Sequence, residues 1–140
     1  MSINSTYLSP NGQQITGGGG PALEVMVGTT EGVLTLSREK VGVPWVVSAK
    51  SLTVCHIGQL LFEEKTGKLF AGAHANGGMW VSDDGKGKNW RSINNGLSRQ
   101  HIYALASRRI DDNVTIFAGT SPAGLYRSNN LGETWEEVSS

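Results

Sequence analysis

The sequence has little of what would indicate several common classes of protein. It contains one cysteine, Cys55, so no disulfide can form within the chain, which fits a reducing compartment. Charged residues make up only 17 % of the 140 residues, and 12 Lys plus Arg balance 12 Asp plus Glu. Without a surplus of positive charge, the chain lacks the electrostatic basis for binding nucleic acid.

Long apolar runs are also missing. No stretch reaches the roughly 18–20 apolar residues that a membrane-spanning helix needs. The first ten residues have neither the basic region nor the apolar region of a secretory signal. We therefore expect no membrane partner and predict a cytoplasmic protein.

Glycine, by contrast, is abundant, with 19 residues, and the sequence repeats itself. Three tryptophans lie 45 residues apart, at Trp45, Trp90 and Trp135. Three short apolar runs end in a glycine at similar spacing, and they read VMVG (25–28), LFAG (69–72) and IFAG (116–119). This self-similarity predicts three tandem units of about 45 residues.

Each unit consists of short apolar runs separated by polar or glycine-rich turns, the pattern of consecutive antiparallel strands. In the last unit we predict strands over 102–107, 115–119, 125–128 and 135–138. Four short strands per repeat are typical of a β-propeller blade. The predicted fold is all-β, a β-propeller-like array of three four-stranded antiparallel blades at about 23–54, 55–99 and 100–140, after a polar, glycine-rich segment at 1–22. The first unit lacks an innermost strand, for which residues 6–8 are the candidate.

The turn before each spaced tryptophan has a composition of its own. The segment SNNLGETW (128–135) resembles the Asp-box, Ser-x-Asp-x-Gly-x-Thr-Trp, and SDDGKGKNW (82–90) is a longer variant. Side chains of Asp and Asn cap such turns through backbone N–H groups, and glycine permits positive φ. We assign structural roles in these turns to Ser82, Asp84, Trp90, Ser128, Asn130, Gly132 and Trp135. The tryptophans are expected to pack between neighbouring sheets.

These motifs resemble the BNR/Asp-box propellers, a superfamily that includes sialidases and glycosyl-hydrolase-like proteins. Sialidases of this kind carry a Phe/Tyr-Arg-Ile-Pro motif, but Phe62, Phe70 and Phe117 are followed here by Glu, Ala and Ala. No catalytic site is therefore carried over. The acidic pairs 63–64 and 111–112 are expected in turns as solvated charge.

Histidines recur at one place in the repeat. His56 and His101 lie 45 residues apart, directly before the first strand of their units. In a propeller this position faces the rim of the central channel, which the loops 29–31, 74–77 and 120–122 also reach. The predicted ligand-binding rim consists of His56, His74, His101, Glu31 and Ser121. The alternative interpretation is a repeated loop residue that binds backbone, and without a third ligand we predict no metal site.

Cys55 and His56 are neighbours on one strand, so their side chains point to opposite faces and we expect a buried thiol rather than a catalytic pair. Propellers usually close with roughly 4–8 blades. Either the chain is part of a longer propeller, or copies assemble a ring, a six-bladed dimer being the simplest. The predicted function is a non-enzymatic binding or scaffold module without a cofactor. Its partner is an unidentified ligand, with carbohydrate as a candidate, or a protein. The alternative is a fragment or subunit of a glycoside hydrolase or sialidase-like enzyme.

Overall fold

The computed structural model of the protein describes residues 5–10, 15–17, 19–75 and 77–139. In these ranges the chain forms thirteen β-strands and no helix, and thus no helix long and apolar enough to span a bilayer. The strands form three sheets that follow one another along the chain, named here the first, second and third sheets. The prediction of an all-β chain is confirmed.

The first sheet consists of β1 (Ser5–Leu8), β2 (Ile15–Gly17), β3 (Glu24–Thr29), β4 (Gly32–Ser37) and β5 (Val46–Ser51), in the order β2-β1-β3-β4-β5. β1 takes the place beside β3 for which residues 6–8 were the candidate. It runs parallel to β3, whereas the other pairs in this sheet are antiparallel. The sheet therefore extends N-terminal to residue 23.

The second and third sheets are four-stranded and antiparallel, with strands in chain order. The second sheet contains β6 (His56–Glu63), β7 (Lys68–Ala75), β8 (Gly78–Ser82) and β9 (Arg91–Ser92). The third contains β10 (Ile102–Ile110), β11 (Asn113–Thr120), β12 (Gly124–Ser128) and β13 (Glu136–Glu137). All four strands predicted in the last unit are present, and the β10–β11 hairpin is longer than predicted. Within the described residues the three sheets do not close into a ring.

Strand β7 shows how the second sheet serves two interfaces. Leu69 and Ala71 belong to a buried cluster shared with the first sheet, whereas Phe70 belongs to a cluster shared with the third. Side chains alternate along a strand, so a strand buried on both faces reads as a continuous apolar run. The core therefore lies in two layers, one on each face of the second sheet.

The first strands of the second and third sheets are joined by a buried side chain. Gln59 of β6 donates its amide N–H to the carbonyl of Leu105 on β10 at 3.0 Å. Its side-chain oxygen accepts the Leu105 backbone N–H at 2.7 Å. Because a buried polar group must be paired, these two hydrogen bonds fix the register of one sheet on the other.

One acidic residue differs from the expectation of solvated charge. Glu63 is only 5 % exposed, and its carboxylate accepts the backbone N–H groups of Lys65 and Thr66 at 3.2 and 2.7 Å. Burial raises the pKa of Glu63, but these hydrogen bonds and that of the Thr66 hydroxyl outweigh it, and the pKa is lowered. The prediction was therefore wrong for Glu63, because the turn folds back on this carboxylate.

Candidate functional site

Aromatic rings meet where the second and third sheets lie side by side. His56 begins β6 and His74 lies near the end of β7, so antiparallel pairing brings both to one end of the second sheet. Their ring centroids are 3.7 Å apart. Tyr103 of β10 stacks on His74, with centroids 4.5 Å apart and planes at 19°. His74 thus contacts a ring from its own sheet and one from the next.

His101 completes this group, which we call the imidazole cluster (His56, His74, His101 and Tyr103). The pKa of His74 is lowered, chiefly by burial and then by the positive charges of His56 and His101. The chain has three histidines, so all its imidazoles lie in this cluster. A proton on His56 or His101 therefore makes protonation of His74 less favourable.

The cluster does not have the arrangement of a metal site. Among the described residues, no group of three or more His, Cys, Asp or Glu side chains is placed to hold a metal ion. The His56 and His74 rings contact each other at a tilt of 43°, with centroids 3.7 Å apart, whereas a metal needs nitrogens converging at about 2.0–2.1 Å. An anion makes a different demand, because protonated imidazoles offer N–H donors and positive charge without converging on one point.

Two residues of this region were not identified from the sequence, Tyr103 and Gly58. A Cβ at Gly58 would lie 2.8 Å from the Ile102 carbonyl oxygen and 3.2 Å from Cδ2 of His74, so only glycine allows this approach. The two residues hold the same place in the repeats HIGQL (56–60) and HIYAL (101–105). The aligned repeats therefore contained the signal, as a position at which glycine is exchanged for tyrosine.

The other predicted rim residues divide into two groups. The backbone N–H of Ser121 donates to the His101 carbonyl at 3.0 Å, which places Ser121 beside the cluster. Glu31 lies in the β3–β4 turn and lines a separate cavity of about 260 Å³ with Lys50. Asn76, in the predicted loop 74–77, is outside the described residues. The three histidines are thus brought together, whereas Glu31 lines a different opening.

The turn at 128–135 is held by its own side chains. The Ser128 hydroxyl accepts the Gly132 N–H at 2.8 Å, and the Asn130 side-chain oxygen accepts the Thr134 N–H at 2.9 Å. Gly132 has a φ of 88°, a conformation that favours glycine. These bonds satisfy backbone groups that the tight turn removes from the strand ladder.

The turn at 82–90 repeats this arrangement in the second sheet. The Ser82 hydroxyl accepts the Gly87 N–H at 3.0 Å, and the Asp84 carboxylate accepts the Lys86 N–H at 2.9 Å. The Lys86 N–H is the main cause of a lowered pKa at Asp84, ahead of burial, which acts in the opposite direction. Both turns therefore use a serine and an Asx side chain to organise backbone, as their residue types predict.

The three spaced tryptophans end in different surroundings. Trp135 is buried and donates its indole N–H to the Ile93 carbonyl at 2.8 Å, and Trp90 is half-buried. Trp45 is 37 % exposed, and the Arg38 guanidinium lies 4.3 Å from its ring centroid. Packing between sheets was therefore wrongly expected of Trp45, which lies at the end of the first sheet and is covered by a side chain from its own turn.

Neither a known protein family nor a curated protein matches the chain. The assignment of a function therefore depends on the fold and on the chemistry of the residues described above.

Proposed function

We propose that the three sheets are BNR/Asp-box blades of a β-propeller and that the protein is a non-enzymatic binding module. Three observations support the blade assignment. Four-stranded antiparallel sheets recur in chain order, and equivalent turns between third and fourth strands carry equivalent hydrogen bonds. A neighbouring sheet lies face to face with each, as blades do in a propeller.

The imidazole cluster is the proposed ligand site. The observation that carries this proposal is the gathering of every histidine of the chain, with an exposed tyrosine, at one end of two adjacent sheets. The charged side chains that lower the pKa of His74 are the imidazoles of His56 and His101. Such a site attracts negative charge once it takes up protons.

The ligand that best fits this site is an acidic sugar. Protonated imidazoles of His56, His74 and His101 would donate N–H groups to a carboxylate or phosphate. The ring of Tyr103, 41 % exposed, offers a flat apolar surface with a polar tip on which a sugar ring can pack. A bound anion stabilises the charged imidazoles, so binding takes up protons and strengthens as the pH falls toward 6.

The test is a titration of the histidine signals by ¹H–¹³C NMR, with glucuronate as the probe and glucose as the neutral control. Since all three histidines belong to the site, each imidazole signal reports on it. We expect glucuronate to shift these signals at pH 6 and much less at pH 8, and glucose to leave them unchanged. The variant Tyr103→Ala is expected to weaken the response, whereas Glu31→Gln, in the separate cavity, leaves it as in the wild type. Signals that do not respond to glucuronate at pH 6 would exclude the site.

Three acidic side chains, those of Glu63, Asp83 and Asp112, have structural partners. The carboxylate of Glu63 is held by its own turn. Lys68 and Arg91 contact Asp83 at 2.5 and 3.1 Å and hydrogen-bond to it, lowering its pKa to about 2, with Arg91 the larger cause. Lys65 pairs with Asp112 at 2.5 Å. The proposal therefore contains no catalytic step and no cofactor.

A further inference from the structure

The two interfaces between sheets repeat one contact. A Cβ at Gly28 of β3 would lie 2.8 Å from Cγ2 of Ile57 in the second sheet. A Cβ at Gly72 of β7 would lie 2.6 Å from Cγ2 of Ile102 in the third sheet. Real Cβ atoms do not approach so closely, so each glycine is a socket that receives an isoleucine from the next sheet.

The third sheet has the same socket, but none of the described residues forms a sheet seated in it. The nearest atoms to a Cβ at Gly119 belong to Ala104 of the same sheet, at 3.5 Å. The repeated residues beside the filled sockets, Met26 and Phe70, are fully buried, but Phe117 is only half-buried. Leu125, which pairs with Gly119, is 43 % exposed.

These residues define a surface that we call the open face of the third sheet (Gly119, Phe117, Leu125 and Ala104). An exposed apolar patch of this kind marks a contact site in a stable protein. Its residues are the counterparts of those that form the two interfaces already present. The occupant that continues the pattern is therefore another sheet packed face to face.

The first sheet supplies a complementary surface on the opposite end of the array. Val25 and Val27 of β3 are half-buried, whereas the residues at the same places in the other two sheets are fully buried against a neighbour. Those residues are Leu69, Ala71, Ile116 and Ala118. Leu34 and Leu36 of β4, which pair with Val27 and Val25, are half-buried as well. We call these four aliphatic residues the open face of the first sheet.

We propose that two copies of the chain associate head to tail, with the open face of the third sheet of each copy on the open face of the first sheet of the other. One chain carries both halves of the contact on opposite ends. Two copies related by a two-fold axis satisfy both halves at once and leave neither face open. The inference depends on sheet packing alone and not on the ligand proposed above.

The test uses sedimentation velocity of the full chain over a concentration series. We expect a discrete dimer of about twice the chain mass of 14.9 kDa at micromolar concentration. Leu125→Lys and Val27→Lys place a charge on opposite open faces, and each is expected to weaken the dimer by about tenfold or more. The matched control is Val41→Lys, an exposed valine in the 37–45 turn, which leaves the dissociation constant within about twofold of the wild type.

A second variant separates association from folding. Gly119→Ala has room in the single chain, since a Cβ at this position stands at ordinary contact distance from its nearest neighbours, but it fills the socket. At concentrations low enough to keep the wild type monomeric we expect circular dichroism and thermal unfolding like the wild type, and at micromolar concentration we expect loss of the dimer. A monomeric wild type up to millimolar concentration would overturn the proposal. So would a dimer that neither Leu125→Lys nor Val27→Lys weakens.

Discussion

The second and third sheets have the same strand order and equivalent turns, yet they differ in what lies on their faces. The second sheet is covered on both faces, and Phe70 and Gly72 are buried in the contact with the third. Their counterparts, Phe117 and Gly119, lie on the open face. The difference shows that a repeated sequence determines local strands and turns, whereas the neighbouring sheet determines how much each repeated residue stabilises the fold.

The largest effect is expected from truncating the repeated phenylalanine. Phe70→Ala removes a fully buried ring and leaves a cavity, which costs about 3–5 kcal/mol in unfolding free energy. Phe117→Ala removes a half-buried ring and is expected to cost about half of this or less. The comparison requires urea unfolding at concentrations low enough to keep the chain monomeric. Equal losses for the two variants would contradict the assignment of an open face.

Adding a single methyl group to the repeated glycine tests the same comparison in the opposite direction. Gly72→Ala would force Ile102 away from a Cβ at 2.6 Å, which we expect to cost about 1–3 kcal/mol. Gly119→Ala meets only ordinary contacts and should be neutral, or stabilising by up to about 1 kcal/mol, because glycine is unfavourable within a strand. Thermal unfolding of the pair, at concentrations low enough to keep the chain monomeric, measures the difference directly.

The turns provide a case in which the two sheets are expected to behave alike. Ser82→Ala and Ser128→Ala each leave a buried glycine N–H without its acceptor, at a cost of about 1–2 kcal/mol. The control is Ser37→Ala, at the corresponding place in the first sheet, with an expected change within about 0.5 kcal/mol. If urea unfolding gives one of the two turn variants a loss of unfolding free energy as small as that of the control, the two turns are not equivalent.

Much of this architecture could be predicted from residue patterns, because turn chemistry and strand alternation are local. The spacing of Trp90 and Trp135 and the serine-Asx turns predicted the repeated sheets. Proximity in space is harder to predict. The parallel pairing of β1 depends on a strand that is distant in sequence. The exposure of Trp45 reflects the lack of a covering sheet among the described residues.

The same limit applies to the candidate site. The repeat spacing predicted His56 and His101 as site residues because they occupy equivalent positions in two repeats. It did not indicate the stacking of His74 on Tyr103, since that contact joins non-equivalent positions of two sheets. The aligned repeats mark Gly58 as a position of glycine–tyrosine exchange, but the reason for the glycine, the close approach of the β10 backbone to β6, is a feature of the packed sheets.

The smallest expected effect concerns the pH dependence of stability at the end of the second sheet. His74 lies two residues after Gly72, and the counterpart in the third sheet is Ser121. The pKa of His74 is lowered on folding, by burial first and then by His56 and His101. Near and below the unfolded value of 6.5 the unfolded chain therefore binds more protons than the folded chain. The contribution of His74 to stability therefore falls as the pH is lowered through this range and levels off below its folded pKa.

The variant His74→Ser makes the second sheet resemble the third at this position. Urea unfolding at pH 7.5 and pH 5 should show a smaller loss of stability for His74→Ser than for the wild type, because the variant has no imidazole to protonate there. Carboxylates that titrate near pH 5 are common to both proteins and cancel in the difference. A loss of equal size in both proteins would mean that His74 is as easily protonated in the folded chain as in the unfolded one. The stacked rings would then exert no control over the charge of the cluster.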